Sequence, residues 1–236
     1  MADATGRAAS LRARVRAEMT EEIKSTARRQ LASGGAASLS LRAVAREVGL
    51  VSSAVYRYFP SRDELLTALI IDAYDALGSF VEEAESKVDR DDLIGRFLAI
   101  GHAVRDWALA NPHEYALTYG TPVPGYAAPQ DTVGPATRIT VLLSRILADG
   151  QEHGRVQVSP GERLEPAVRR EMDRIVTDMA PGVPPAVMAR GMLAWTAVFG
   201  AVNFEVFGRL DNVIEDRRPW FDHQLRCLVQ VVGLGA

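Results

Sequence analysis

The chain has 236 residues, 47% apolar and 24% charged, enough to bury a sizeable core as one large helical domain with a small one, or as two small domains. Its single cysteine, Cys227, excludes an intrachain disulfide and gives no sign of secretion. The net charge of −3 hides an asymmetry: residues 1–62 hold 11 Lys and Arg against 5 Asp and Glu, and the remainder holds 16 against 25, so an N-terminal segment that attracts phosphate precedes a body that phosphate repels.

Residues 1–10 are small and polar and read as a flexible arm. Arg7, Arg12, Arg14 and Arg16 lie in it or just beyond it. They either reach phosphate or a minor groove, or form a solvated basic tail. The spacing of Met19, Ile23, Ala27 and Leu31 predicts a first helix over about 11–32, ended at Gly34-Gly35. Leu41, Val44, Ala45 and Val48 form one face of a short second helix. Ser40 is placed to cap it and Gly49 to end it. Ser52 or Ser53 would cap a third helix running to Tyr58, with Val55 and Phe59 inward. Pro60 stops it, and Ser61 with Glu64 has the spacing of a capping box for the next. A helix, a turn with Gly and a second helix form a DNA-reading unit, in which the second helix enters the major groove. An ordinary helical hairpin has the same periodicity.

The fourth helix continues to about Lys87 on Leu65, Leu66, Leu69, Ile70, Ala73, Leu77 and Phe80. Glu82–Asp92 reads as a solvated bend. A fifth helix follows to Ala110, then a short one to Tyr119 that Pro112 can begin. Residues 121–135 carry four prolines and two glycines and predict an irregular loop, either a gate or a passive surface segment. Further helices are expected over 136–152, over 162–179 after a cap at Ser159, over 187–210, and from Arg217 onward. The N-terminus lacks the apolar core of a signal peptide. The apolar run 192–202 is shorter than the roughly 20 residues of a membrane span. A cytoplasmic protein with no membrane partner is the simplest expectation. No strand or internal repeat is evident.

The segment VAREVGLVSSAVYRYFPSRDELL resembles the DNA-binding domain of the TetR family of transcriptional regulators. Ala45, Gly49, Ser52, Tyr56, Tyr58, Phe59, Ser61, Arg62, Leu65 and Leu66 fall in place; Leu50 replaces a commoner Val, and Arg62 a commoner Lys. Segments 106–129 and 194–208 also resemble a group of TetR-type C-terminal domains that carries a Trp-His-Gly motif. Trp195 and Gly200 match it, but Phe199 stands where that His would be, so no role of the His transfers. The resemblance implies an all-α fold: an N-terminal three-helix helix-turn-helix domain over 11–60 after the arm 1–10, then a helical effector-binding and dimerisation domain over 61–236. The implied function is that of a regulator, expected to be a repressor, which binds a palindromic operator as a homodimer and is released by a small apolar or amphipathic ligand. Control by a partner protein without such a ligand is the alternative.

On this reading Arg42, Ser52, Ser53, Ala54, Tyr56 and Arg57 face DNA, and Tyr58 and Arg62 hold phosphate. Trp107, Tyr115, Tyr119, Met172, Trp195, Phe199 and Asn203 are candidate ligand residues; as aromatic and Met stripes at helical spacing they fit a core equally well. Small residues at Gly191, Ala194, Val198 and Ala201 would admit a partner helix, or pack within the subunit. His102, His113, His153 and His223 have no metal-ligand spacing, and no cofactor motif or catalytic constellation is readable, so neither cofactor nor enzymatic activity is expected.

Overall fold

A computed structural model describes residues 2–157 and 161–235, with side chains from Leu11 onward except Ala37. The cap expected at Ser159 and the side chain of Arg7 lie outside the described residues. Ten α-helices occur among the described residues, and the only extended pairing among them is an isolated bridge between Val156 and Leu234. The fold is all-α, as the helical periodicities predict. The chain divides into two compact units, residues 1–73 with 113–132, and residues 74–112 with 133–236.

In the first unit, α1 spans Ala2–Gly34. It starts well before Leu11, so residues 2–10 are helical rather than a loose arm. Ile23, Ala27 and Leu31 are buried on its inner face. A 3₁₀ turn, Ala36–Ser38, leads to α2, Leu41–Glu47, whose first turn is capped by Ser40 Oγ accepting from Ala43 N. Gly49 takes φ +73°, a left-handed conformation that a Cβ would strain. The next helix, α3, is only Ser52–Val55. Its N-cap is Val51, with no side-chain bond, so neither serine caps it. It stops early because Arg57 N and Tyr58 N bond back three residues, to Ala54 and Val55, tightening the chain into turns.

Ser61 Oγ caps α4, Arg62–Ser86, by accepting from Glu64 N. Two cations of α1 fasten α4: Lys24 Nζ and Arg28 Nη2 lie 2.9 and 2.5 Å from Asp72 Oδ2. Burial opposes the charge on Lys24, yet bonds to Glu21 and Asp72 hold its pKa above the usual value. The short α6, Pro112–Tyr119, belongs mostly to this unit; its His113 and Leu117 lie beside Arg28 and Leu31 of α1 and Leu69 of α4. The Pro- and Gly-rich stretch after it is shorter than expected, because Gln130–Thr132 forms a 3₁₀ turn and the next helix begins at Val133. The stretch is also tied down: Tyr126 and Thr67 share a hydroxyl–hydroxyl bond of 2.9 Å.

The second unit takes the last part of α4 and five further helices: α5 Leu93–Ala110, α7 Val133–Glu152, α8 Pro166–Met179, α9 Pro185–Val206 and α10 Arg217–Val232. Asp92 caps α5 by accepting from Gly95 N. The interior is built on Phe97, Ile100, Val104 and Trp107 of α5, Ile139, Leu142 and Ile146 of α7, and Phe221 and Leu225 of α10. At Gly101 the α5 backbone meets α10 so closely that a Cβ would sit 2.5 Å from Leu225.

Two expectations on α4 are corrected. Phe80 is 44% exposed rather than inward. Glu85, in the supposed solvated bend, is buried because Arg96, itself fully buried, bonds it at 2.5 Å and Asp149 at 2.7 Å. Arg138 of α7 clasps Glu82 and Asp75 of α4 and holds the Glu82 carboxyl below its usual range.

The helix α9 is longer than the apolar run suggests: its 22 residues are sufficient in length and composition to cross a membrane. In this unit it packs against α5, α7, α8 and α10. Ala194 and Val198 are buried within the subunit, and Gly191 abuts Leu147. Gly191, Ala194 and Val198 thus serve internal packing, whereas Ala201 is half-buried and borders the groove between α9 and α10. What α9 presents outward is Leu193, 56% exposed, and Phe204, 57% exposed, with Ala197 and Gly200 at helical spacing between them.

Candidate DNA-binding surface and ligand cavity

The first unit exposes Arg42 on α2, Ser52 and Ser53 on α3, and Tyr56 and Arg57 in the turn after it. Ala54 does not join them. It is 6% exposed and faces the same interior as Val55, because the tight turn brings its side of α3 inward. Tyr58 is half-buried, and the Arg16 guanidinium of α1 lies 5.3 Å above its ring. The same guanidinium donates from Nη2 to the Arg57 carbonyl at 2.9 Å. Arg16 therefore fixes the turn after α3 from outside it. Leu11, Arg12, Val15, Arg16, Arg57 and Tyr58 surround a shallow depression beside it.

Arg62 is turned away from solvent-facing work. Its Nε and Nη2 donate to the carbonyls of Leu39 and Ala36 at 3.1 and 2.9 Å, closing the 3₁₀ turn onto the start of α4. The side chain expected to hold phosphate is engaged in holding the fold. Arg62→Met is expected to cost the first unit about 1–3 kcal/mol in urea denaturation, the penalty of leaving partly buried carbonyls unmet. The salt slope of DNA binding should change little. A slope lowered by about one with stability intact would instead mark a phosphate contact.

Sequence reasoning named Arg16 only as one of several N-terminal cations and did not single out Val51. Arg16 gave only a charge signal, since its bond to Arg57 spans 41 positions. Val51, at the cap of α3, is 70% exposed and stands beside Ser52 and Ser53. Its exposure beside two serines was the available clue.

The second unit contains a cavity of about 140 Å³. Phe97 of α5, Thr140, Ser144 and Leu147 of α7, Met179 of α8 and Trp195 of α9 are among its walls. Of the candidate ligand residues only Trp195 lines it. Trp107 and Phe199 are buried core residues, 6% exposed each, and Phe199 packs against Trp195 with ring centroids 6.0 Å apart. Met172 is half-buried on α8. Tyr115 and Tyr119 stack on each other at 5.1 Å in the first unit, and burial pushes the Tyr115 phenol far up. Asn203 Oδ1 is buried and accepts no hydrogen bond among the described residues, but Asn203 does not reach the cavity wall.

Outside the cavity, α9 and α10 leave a second apolar surface. Trp220, Gln224, Cys227 and Val231 follow one another at helical spacing on α10, and a groove lined by Ala197, Ala201, Trp220 and Leu228 separates that stripe from α9.

The family model described as bacterial regulatory proteins, tetR family, matches residues 23–69. A model described as tetracyclin repressor-like, C-terminal domain, matches residues 97–228. The HTH-type transcriptional regulators Rv1816 of Mycobacterium tuberculosis and Mb1846 of Mycobacterium bovis are each 40% identical to this chain over 220 residues, 92% of this chain and 94% of theirs. The crystal structure of SCO4313, described as a regulatory protein, superposes with a TM-score of 0.76 at 31% identity over 92% of this chain and 98% of that one.

Proposed function

From the chain's membership of the TetR family of helix-turn-helix transcriptional regulators, which are not enzymes, we propose that it is a cytoplasmic repressor that binds a palindromic operator as a homodimer. A small molecule held in the cavity of the second unit would release it. The observation that carries the DNA half of this reading is the exposed set Arg42, Ser52, Ser53, Tyr56 and Arg57, its Arg57 end bonded by Arg16, in a segment with a surplus of positive charge. Small residues at the start of α3 admit the duplex closely, and the tyrosine and arginine that follow suit base edges and phosphate. Arg42 adds a cation on the preceding helix. With Ala54 buried and Arg62 engaged, Tyr58 remains a phosphate candidate through its hydroxyl, and Val51 joins the set.

A homodimer follows from the size of the reading element. One turn of helix contacts few bases, whereas two copies related by a two-fold axis double the contacts and match a two-fold site. The apolar stripes of α9 and α10 are the surface suited to it: Leu193 and Phe204 on one, Trp220 and Val231 on the other. Phe204→Glu would place an unpaired charge there, and we expect sedimentation velocity to report a monomer where the native chain is a dimer. Binding to an inverted-repeat duplex would fall with it, while single-half-site binding would stay. A native chain that sediments as a monomer would contradict the dimer, and an unaltered Phe204→Glu dimer would place the interface elsewhere.

A further inference from the structure

The cavity of the second unit limits what can occupy it, by size, by charge and by one unmet polar group. Its volume of about 140 Å³ is well below the roughly 300–1,000 Å³ of sites for drug-sized ligands. It is close to the engineered cavity of roughly 150 Å³ that holds benzene. Among the described residues, no charged side chain lines it. The cations next in sequence to its walls point to solvent or are committed elsewhere: Arg145, between Ser144 and Ile146, is exposed, and Arg174, beside Ile175, bonds Glu171 at 2.6 Å. Arg96, beside Phe97, bonds Glu85 and Asp149. Arg190, beside Gly191, donates to the Gln157 carbonyl at 2.6 Å and lies 3.7 Å from Glu162. A carboxylate or an ammonium ion placed here would shed its hydration with no opposite charge to receive it.

Two hydroxyls are in the wall. Thr140 donates its proton to the Thr137 carbonyl at 2.8 Å. Ser144 is 6% exposed and makes no hydrogen bond among the described residues. A serine inside a helix commonly bonds back to the carbonyl one turn earlier, and this one does not. A hydroxyl in an otherwise apolar wall, with no protein partner among the described residues, marks where a polar atom of an occupant belongs.

We propose that the cavity takes an uncharged molecule the size of one six-membered ring, bearing a single hydroxyl or carbonyl group that bonds Ser144. The proposal rests on the reading of the chain as a ligand-released regulator. The rim of Met179 and Ile175 comes from α8, which has no buried residue, so this wall is the one most easily displaced to admit such a molecule.

Titration calorimetry of the full-length chain with phenol, toluene, benzoate and decanoate tests it, since the first three share a ring and differ in one group. Phenol should bind once per protomer, about tenfold more tightly than toluene, the difference one neutral hydrogen bond supplies. Benzoate and decanoate should give no heat. In Ser144→Ala the phenol-to-toluene ratio should fall to near one, with toluene binding retained as proof of an intact cavity. Absence of phenol binding, preferential binding of benzoate or decanoate, or an unchanged ratio in Ser144→Ala would overturn the proposal. Operator release, measured alongside, separates the two levels. If a charged or longer compound frees the DNA and phenol does not bind, the ligand class is wrong and the regulator reading stands. If phenol binds as described but no bound compound alters DNA affinity, the cavity chemistry stands and release by ligand fails.

Discussion

Glu205→Ala is expected to cost the second unit about 3–5 kcal/mol, a larger loss than truncation of any exposed charge in the chain. Arg105 donates from Nε and Nη2 to the two carboxylate oxygens of Glu205 at 2.7 and 2.6 Å, with both side chains under a tenth exposed. The pair joins α5 to α9, and the guanidinium also lies 5.8 Å from the centre of the Phe221 ring. Removing the carboxylate strands a desolvated cation. Asp106 cannot take over: it is 3.4 Å from Arg105 Nη1, partly exposed, and already bonded to Arg218 at 2.9 Å. For a chain of this length the loss corresponds to a fall in Tm of roughly 6–20 °C, readable by circular dichroism. The double variant Arg105→Met/Glu205→Leu should recover most of it, because two apolar side chains of similar volume need no desolvation to be offset. A single-variant loss below about 1 kcal/mol would mean that the pair is hydrated.

The second large effect is on DNA. Tyr56→Ala and Arg57→Ala are each expected to lower affinity for the operator about tenfold or more, from roughly 1–3 kcal/mol per specific contact. Both side chains are exposed, so chain stability should change by less than about 0.5 kcal/mol. Arg16→Met should also weaken binding although it lies on α1, because it releases the Arg57 carbonyl and uncovers the Tyr58 ring. Competition titrations against operator and random duplex distinguish the roles. A residue that reads bases loses operator affinity only, whereas one on phosphate loses both alike. Full operator affinity in all three variants would remove this surface from the account.

The sequence was most informative where a pattern is local. Ser40, Gly49 and Ser61 are read correctly because a cap or a left-handed turn depends on residues three or four positions away. The inward face of α1, with Ile23, Ala27 and Leu31 buried, follows from helical spacing alone. What escaped reading depends on distant partners or on the orientation of a short turn. Ala54 and Ser53 look alike as small residues on a short helix, but turn geometry buries one and exposes the other. Arg62 looks like a surface cation until the carbonyls of Ala36 and Leu39 approach it from 26 and 23 residues away. Glu85 lies in a charged run, and only the buried Arg96 explains its burial. The cavity was the least legible element. Its candidates were mostly aromatic, with Met172 and Asn203, yet Trp107, Tyr115 and Phe199 are buried away from it, and much of the wall is aliphatic side chains with two hydroxyls.

The most direct test of the account is recovery of duplexes from a random pool by the purified full-length chain, followed by binding stoichiometry on the selected sequence. The account predicts an inverted repeat, occupied by two protomers. Its affinity should fall steeply as salt rises, with a log–log slope near −0.9 per phosphate contact. No enrichment, or one protomer bound to a site without two-fold symmetry, would contradict it.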